Sequence, residues 1–149
     1  HISNKEFDEL ICNHLNISSD AWQKAVIESE KPNRELLNYV KDLRTKYKTA
    51  ILSNANKGTL DNRFGDRKLS DYFDDIIVSA EIGLVKPDPQ IFDFTAKRLN
   101  LSTEECLFID DHILNVEAAK QAGMKSIRFS SSENKLDDLK QGISKILSE

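Results

Sequence analysis

Two adjacent carboxylates, Asp110 and Asp111, follow an apolar run of Leu107, Phe108 and Ile109. A short apolar run stopped by acids predicts a strand buried on both faces, with the acid pair at its carboxyl end. Side by side, two carboxylates repel unless a proton or a cation intervenes, and an all-oxygen donor set suits Mg²⁺. A plainer reading makes Asp111 a helix cap and Asp110 a solvated loop residue. Two further polar marks stand elsewhere in the chain: Ser53-Asn54 ends the apolar run Ala50 to Leu52, and Lys86 follows the run Ile76 to Val78. Alone, Ser-Asn after a strand reads as a turn and Lys before Pro as a loop lysine. Together, a hydroxyl, an amide, an ammonium and two carboxylates suit a phosphate held beside Mg²⁺. Lys86 offsets phosphate charge, while Ser53 and nearby backbone N–H groups donate to phosphate oxygens.

The elements that must gather these groups alternate in type. Leu36, Leu37, Val40, Leu43 and Tyr47 predict an amphipathic helix capped by Asn33. Strands are expected at 50–52, 76–78, 107–109 and 126–129. Helices are expected around Ile91 to Leu99, from Val116 to a C-cap at Gly123, and around Leu136 to Ile146. Ser102 and Glu105 have capping-box spacing. Strands alternating with helices indicate a parallel sheet covered on both faces, whose strand ends share one edge. Ahead of this core, Phe7, Leu10, Ile11 and Leu15 predict a helix, and Trp22, Val26 and Ile27 a second. The segment Glu28 to Asn33, with Pro32, reads as the linker. Lys57 to Phe73, broken by Gly58 and Gly65, is expected to be irregular.

At 149 residues and net charge −4, the chain has room for one domain with a core and a small appendage. No basic cluster favours nucleic acid, and no apolar run approaches the ~20 residues of a membrane span. Cys12 and Cys106 lack metal spacing and are expected to be reduced thiols. A cytoplasmic protein is the expectation.

ILSNAN, GLVKPDPQIF and LFIDDHILNVEAAKQAGM resemble, in order and spacing, the second, third and fourth signature motifs of the haloacid dehalogenase (HAD) superfamily. The likeness runs from about residue 34 to 149. HISNKEFDELICNHLNIS is similar to part of the small helical cap in the branch containing α-D-glucose-1-phosphate phosphatases and haloacid dehalogenases. The resemblance implies a Rossmann-like three-layer α/β core over 33–149 and a partial helical cap over 1–32. It implies that Ser53 binds the transferring phosphoryl group, that Asn54 helps position substrate, and that Lys86 stabilises charge on nucleophile and phosphate. Asp110 and Asp111 would hold Mg²⁺, and Asn115 would orient them.

Members of this superfamily begin with a central strand ending in a DxD-type motif that carries the nucleophile. No such motif precedes Ser53; Asp8, Asp20 and Asp42 sit in helical or capping contexts. The chain therefore resembles a member lacking its first ~50 residues, judged by the size of a strand plus cap helix. An empty central slot would orphan about ten backbone groups at ~1–3 kcal/mol each, rivalling a domain's ~5–15 kcal/mol. The expectation is direct closure of the flanking strands, giving a four-stranded sheet, or filling by another chain. An exposed strand edge favours self-association.

The leading functional reading is a Mg²⁺-dependent phosphatase for a small phosphorylated metabolite such as a sugar phosphate. It would work through an aspartyl-phosphate intermediate, so these 149 residues alone are expected to be inactive. Dehalogenation fits the paired carboxylates less well. The alternative is a non-catalytic phosphate- and Mg²⁺-binding or regulatory module. A phospho-receiver domain is set aside because its acids come from the first strand.

Overall fold

The computed structural model describes residues 4–22, 24, 32–55, 58, 60, 64 and 68–148, with residues 4–8 described by backbone alone. The chain divides into two compact units, His1–Pro32 and Asn33–Glu149. The first contains helix α1 (Asn4–Leu15). Val26, Ile27, residues 28–31 of the expected linker and most of 57–67 lie outside the described residues, as does the side chain of Phe7.

The second unit alternates strand and helix. Helix α2 (Arg34–Arg44) starts at the expected cap, where the Asn33 side chain accepts from the Leu36 N–H at 3.0 Å. Strand β1 (Ala50–Ser53) pairs in parallel with β2 (Asp75–Val78), which runs into the short helix α3 (Ser79–Ile82). Helix α4 (Pro89–Arg98) is capped by Asp88 and has Pro at its first position, where a missing N–H costs nothing. Strand β3 (Leu107–Asp110), helix α5 (Ile113–Gln121), strand β4 (Lys125–Arg128) and helix α6 (Leu136–Leu147) complete the unit. β3 and β4 are also parallel, with Asp110 opposite Arg128.

Alternating side chains send the strands' apolar residues to opposite faces. Leu52 and Phe108 pack with Ile91, Phe92 and Ala119 beneath α4 and α5, where the Phe92 and Phe108 rings meet edge-on at 5.1 Å. Leu107 and Ile127 face the other way, against α2 and α6 through Leu36, Leu43, Leu139 and Ile143. A third cluster places Ile51, Ile76 and Val78 against Leu60 and Leu69. Helices on both faces of parallel strands give the expected three-layer α/β arrangement.

The sheet, however, is in two halves. Among the described residues β1 bonds only to β2, and β3 only to β4, so the expected direct closure of β1 on β3 does not occur. Between them lies a groove of about 390 Å³ lined by Ala50 and Leu52 on one side and by Leu107, Phe108 and Ile109 on the other. No residue of β1 or β3 is fully buried, and Ile109 is 37% exposed. The expected burial of the 107–109 run on both faces is therefore corrected. The facing edges of β1 and β3 carry N–H and C=O groups with no strand partner among the described residues, and such groups escape the penalty for orphaned buried groups only where water reaches them.

Candidate active site

Lys86 bridges the carboxyl ends of β1 and β3. It lies in the loop between α3 and α4. Its Nζ donates to the Leu52 carbonyl at 2.9 Å and to Asp110 Oδ2 at 2.6 Å, and stands 5.4 Å from the centre of the Phe108 ring. The Lys86 and Asp110 side chains are only 9% and 8% exposed, so this is a buried ion pair. The Lys86 backbone is fixed as well. Asn54, just past the end of β1, accepts from the Lys86 N–H through Oδ1 at 2.9 Å and donates from Nδ2 to the Lys86 carbonyl at 2.8 Å. One side-chain amide thus satisfies both backbone groups of the lysine, and both polar ends of Asn54 are engaged there.

Asp110 is the centre of the arrangement. Its Oδ1 accepts from Asn115 Nδ2 and from the His112 N–H, both at 2.9 Å. Asn115 stands on the first turn of α5, which brings its amide back over the end of β3. Burial pulls the Asp110 carboxyl upward, but hydrogen bonds from Lys86, Asn115 and the His112 N–H, with the Lys86 charge, hold it below the ordinary carboxylate range. Asp110 is thus a fixed anion rather than a proton donor.

Asp111 is exposed, and its carboxylate makes no hydrogen bond among the described residues. The reading of Asp111 as a helix cap is not what forms: the cap position before α5 is His112, which makes no side-chain cap hydrogen bond. Ser53 ends β1, half-buried, directly after the carbonyl that Lys86 engages, and its hydroxyl also lacks a partner among the described residues. Lys86, Asp110, Asn115 and Asn54 therefore form one connected cluster, while Ser53 and Asp111 border it with free polar atoms.

Three groups beside these residues escape the sequence reading: the Leu52 carbonyl, the His112 N–H and Arg128, whose Nε donates to the Asp111 carbonyl at 3.1 Å. The first two are backbone groups, which leave no trace in residue type. Arg128 could have been found by noting that the fourth predicted strand also ends near a charged residue.

The residues fit a hydrated divalent cation. Two adjacent carboxylates offer oxygen alone, and among the described residues no group of three or more His, Cys, Asp or Glu could hold a metal by itself. An ion that binds through one or two carboxylates and keeps several waters, as Mg²⁺ does, matches that donor set. Both cysteines are free thiols, and burial, aided by the charges of Glu105 and Glu104, raises the Cys106 thiol. No helix among the described residues is long and apolar enough to cross a membrane.

Known proteins resemble this chain in sequence and in fold. The family described as haloacid dehalogenase-like hydrolase matches residues 5–123. D-ribitol-5-phosphate phosphatase of Bacteroides thetaiotaomicron is 33% identical over 98 residues, covering 62% of this chain and 48% of that enzyme. (S)-2-haloacid dehalogenase 2 of a Pseudomonas species is 25% identical over 134 residues, 87% of this chain and 58% of the relative. The chain thus spans about half the length of these curated relatives. A HAD family enzyme from Bacteroides thetaiotaomicron, solved in complex with magnesium and inorganic phosphate, superposes with a TM-score of 0.68 at 26% identity, covering 91% of this chain and 73% of that one.

Proposed function

The chain belongs to the haloacid dehalogenase-like hydrolase family, and we propose that its core serves Mg²⁺-assisted removal of a phosphoryl group from a small phosphorylated metabolite such as a sugar phosphate. The observation that carries this reading is the bridge made by Lys86, whose single ammonium meets the end of β1 at the Leu52 carbonyl and the end of β3 at Asp110. A cation fixed between two strand ends, with the Ser53 hydroxyl and the Asp111 carboxylate free beside it, suits a phosphate next to a metal.

In this reading Ser53 donates to a phosphoryl oxygen and Lys86 offsets its charge. Asp110 and Asp111 hold Mg²⁺, and Asn115 keeps Asp110 turned toward it. Bound Mg²⁺ neutralises charge on the phosphoryl oxygens. Asn54 supports substrate indirectly, through the Lys86 backbone. The D-ribitol-5-phosphate phosphatase relative and the magnesium–phosphate complex of the structural neighbour favour phosphoryl chemistry over dehalogenation.

Bond breaking also needs a nucleophile. The Ser53 hydroxyl has no hydrogen-bonded base among the described residues, and no DxD sequence stands before it. The 149 residues alone therefore bind but do not turn over. Calorimetry is expected to show phosphate binding that requires Mg²⁺ and disappears in D110N, while a phosphate-release assay on sugar phosphates stays at background. Turnover by this chain would overturn the inactivity, and phosphate binding indifferent to Mg²⁺ would overturn the site. The unpaired edges of β1 and β3 also favour association through an added strand.

A further inference from the structure

We propose that Arg128 is a positioning residue for the acidic rim, holding the Asp110–Asp111 step so that the Asp111 carboxylate faces a bound divalent cation. The inference rests on the reading of that rim as a Mg²⁺ and phosphate site. Arg128 ends β4 directly opposite Asp110, and the Phe129 N–H donates to the Asp110 carbonyl at 3.0 Å. Past that bond the chain leaves the sheet through Asp111 and His112 on its way into α5. The peptide unit joining those two residues is gripped from both ends. Arg128 Nε donates to its carbonyl, that of Asp111, at 3.1 Å. Asp110 Oδ1 accepts from its N–H, that of His112, at 2.9 Å. With the Asp110–Asp111 peptide held at the Asp110 carbonyl by the Phe129 N–H, the peptide planes on both sides of the Asp111 Cα are anchored, which sets φ and ψ of Asp111 and so the direction in which its Cβ leaves the chain.

Arg128 is itself braced. Its Nη2 donates to Glu133 Oε2 at 3.0 Å, and Glu133 belongs to a turn closed by its N–H on the Ser130 carbonyl at 3.1 Å and by the Ser130 N–H on Asn134 Oδ1 at 3.0 Å. The guanidinium charge is thus answered by Glu133, leaving the Asp111 carboxylate unengaged and available. Arg128 and Glu133 are half exposed, so as a surface ion pair alone they would contribute little.

The sign of the effect separates positioning from charge. Removing a nearby positive charge should by itself tighten Mg²⁺ binding, whereas losing the grip on the peptide plane should weaken it. The test is an NMR titration of the 149-residue chain with Mg²⁺ alone, comparing the unsubstituted protein, R128Q and D110N, with hydrogen exchange read at the His112 amide. R128Q is expected to weaken Mg²⁺ binding about tenfold, the scale of lost outer-shell support, and to speed His112 exchange, while D110N abolishes binding. Mg²⁺ affinity unchanged or tightened in R128Q, with binding still lost in D110N, would overturn the role of Arg128 alone. No Mg²⁺ binding by the unsubstituted chain would overturn the rim reading and the Arg128 assignment with it.

Discussion

Lys86 connects two strand ends that share no backbone hydrogen bond, so its charge is structural before it is chemical. Both members of the Lys86–Asp110 pair are nearly inaccessible to water. Removing one leaves the other charged and desolvated, which typically costs ~3–5 kcal/mol. Because Asn115 and the His112 N–H remain on Asp110, K86M is expected at the lower end, a loss of about 3 kcal/mol in urea unfolding. The same substitution should raise the Asp110 carboxyl toward or above its ordinary range, read from its side-chain carbon in an NMR pH titration. An unchanged Asp110 titration would refute the pairing. The linkage to pH has a definite sign. Asp110 is held low against burial by Lys86, Asn115 and His112; Asp74 by the Thr49 N–H and Arg44; and Asp75 by Arg98. Carboxyls depressed in the folded state contribute stability that is full above the unfolded value, about pH 4, and lost as pH falls through the lower folded values. The unfolding midpoint should therefore decline below about pH 4, and D110N should make that decline shallower.

At the scale of elements, the end of α5 is fixed by local chemistry. The Gly123 N–H bonds to the Lys120 carbonyl at 2.9 Å and the Met124 N–H to the Ala119 carbonyl at 3.0 Å, which is the Schellman pattern. Gly123 has φ +94°, and a Cβ there would lie 3.1 Å from Thr103 Oγ1. G123A is accordingly expected to cost about 1–2 kcal/mol and to lower the thermal midpoint; an unchanged melt would refute the strained conformation. The turn it meets is stabilised in its own right, with the Ser102 N–H donating to Glu105 Oε2 at 2.9 Å in a capping box. These two devices set where β3 begins and where α5 hands over to β4, and so where Asp110 and Arg128 stand opposite each other.

At the largest scale, the second unit is divided by the groove between its two strand pairs. Its walls are unpaired parallel edges with apolar side chains, a surface that templates an added strand. Sedimentation velocity is expected to show association as concentration rises. I109K, which places a charge on the exposed β3 edge, should suppress it. The substitution leaves Phe92 and Ile91, both 0% exposed, untouched, so the fold should survive. A chain that stays monomeric throughout would argue that the edges are sufficiently hydrated to remain alone.

The sequence by itself determined the elements and the identity of the polar groups at their ends. Apolar runs closed by Ser53-Asn54 and Asp110-Asp111, Asn33 at a helix start and Gly123 at a helix end all act over a few residues, where local sterics and hydrogen bonding decide the outcome. Tertiary structure alone decided how those groups meet. Only folding brought the Lys86 ammonium to the Leu52 carbonyl and turned both ends of Asn54 onto the Lys86 backbone, and only strand register set Arg128 opposite Asp110. Whether β1 and β3 would close was equally invisible in the residues, because it depends on how much of each strand edge water can still reach.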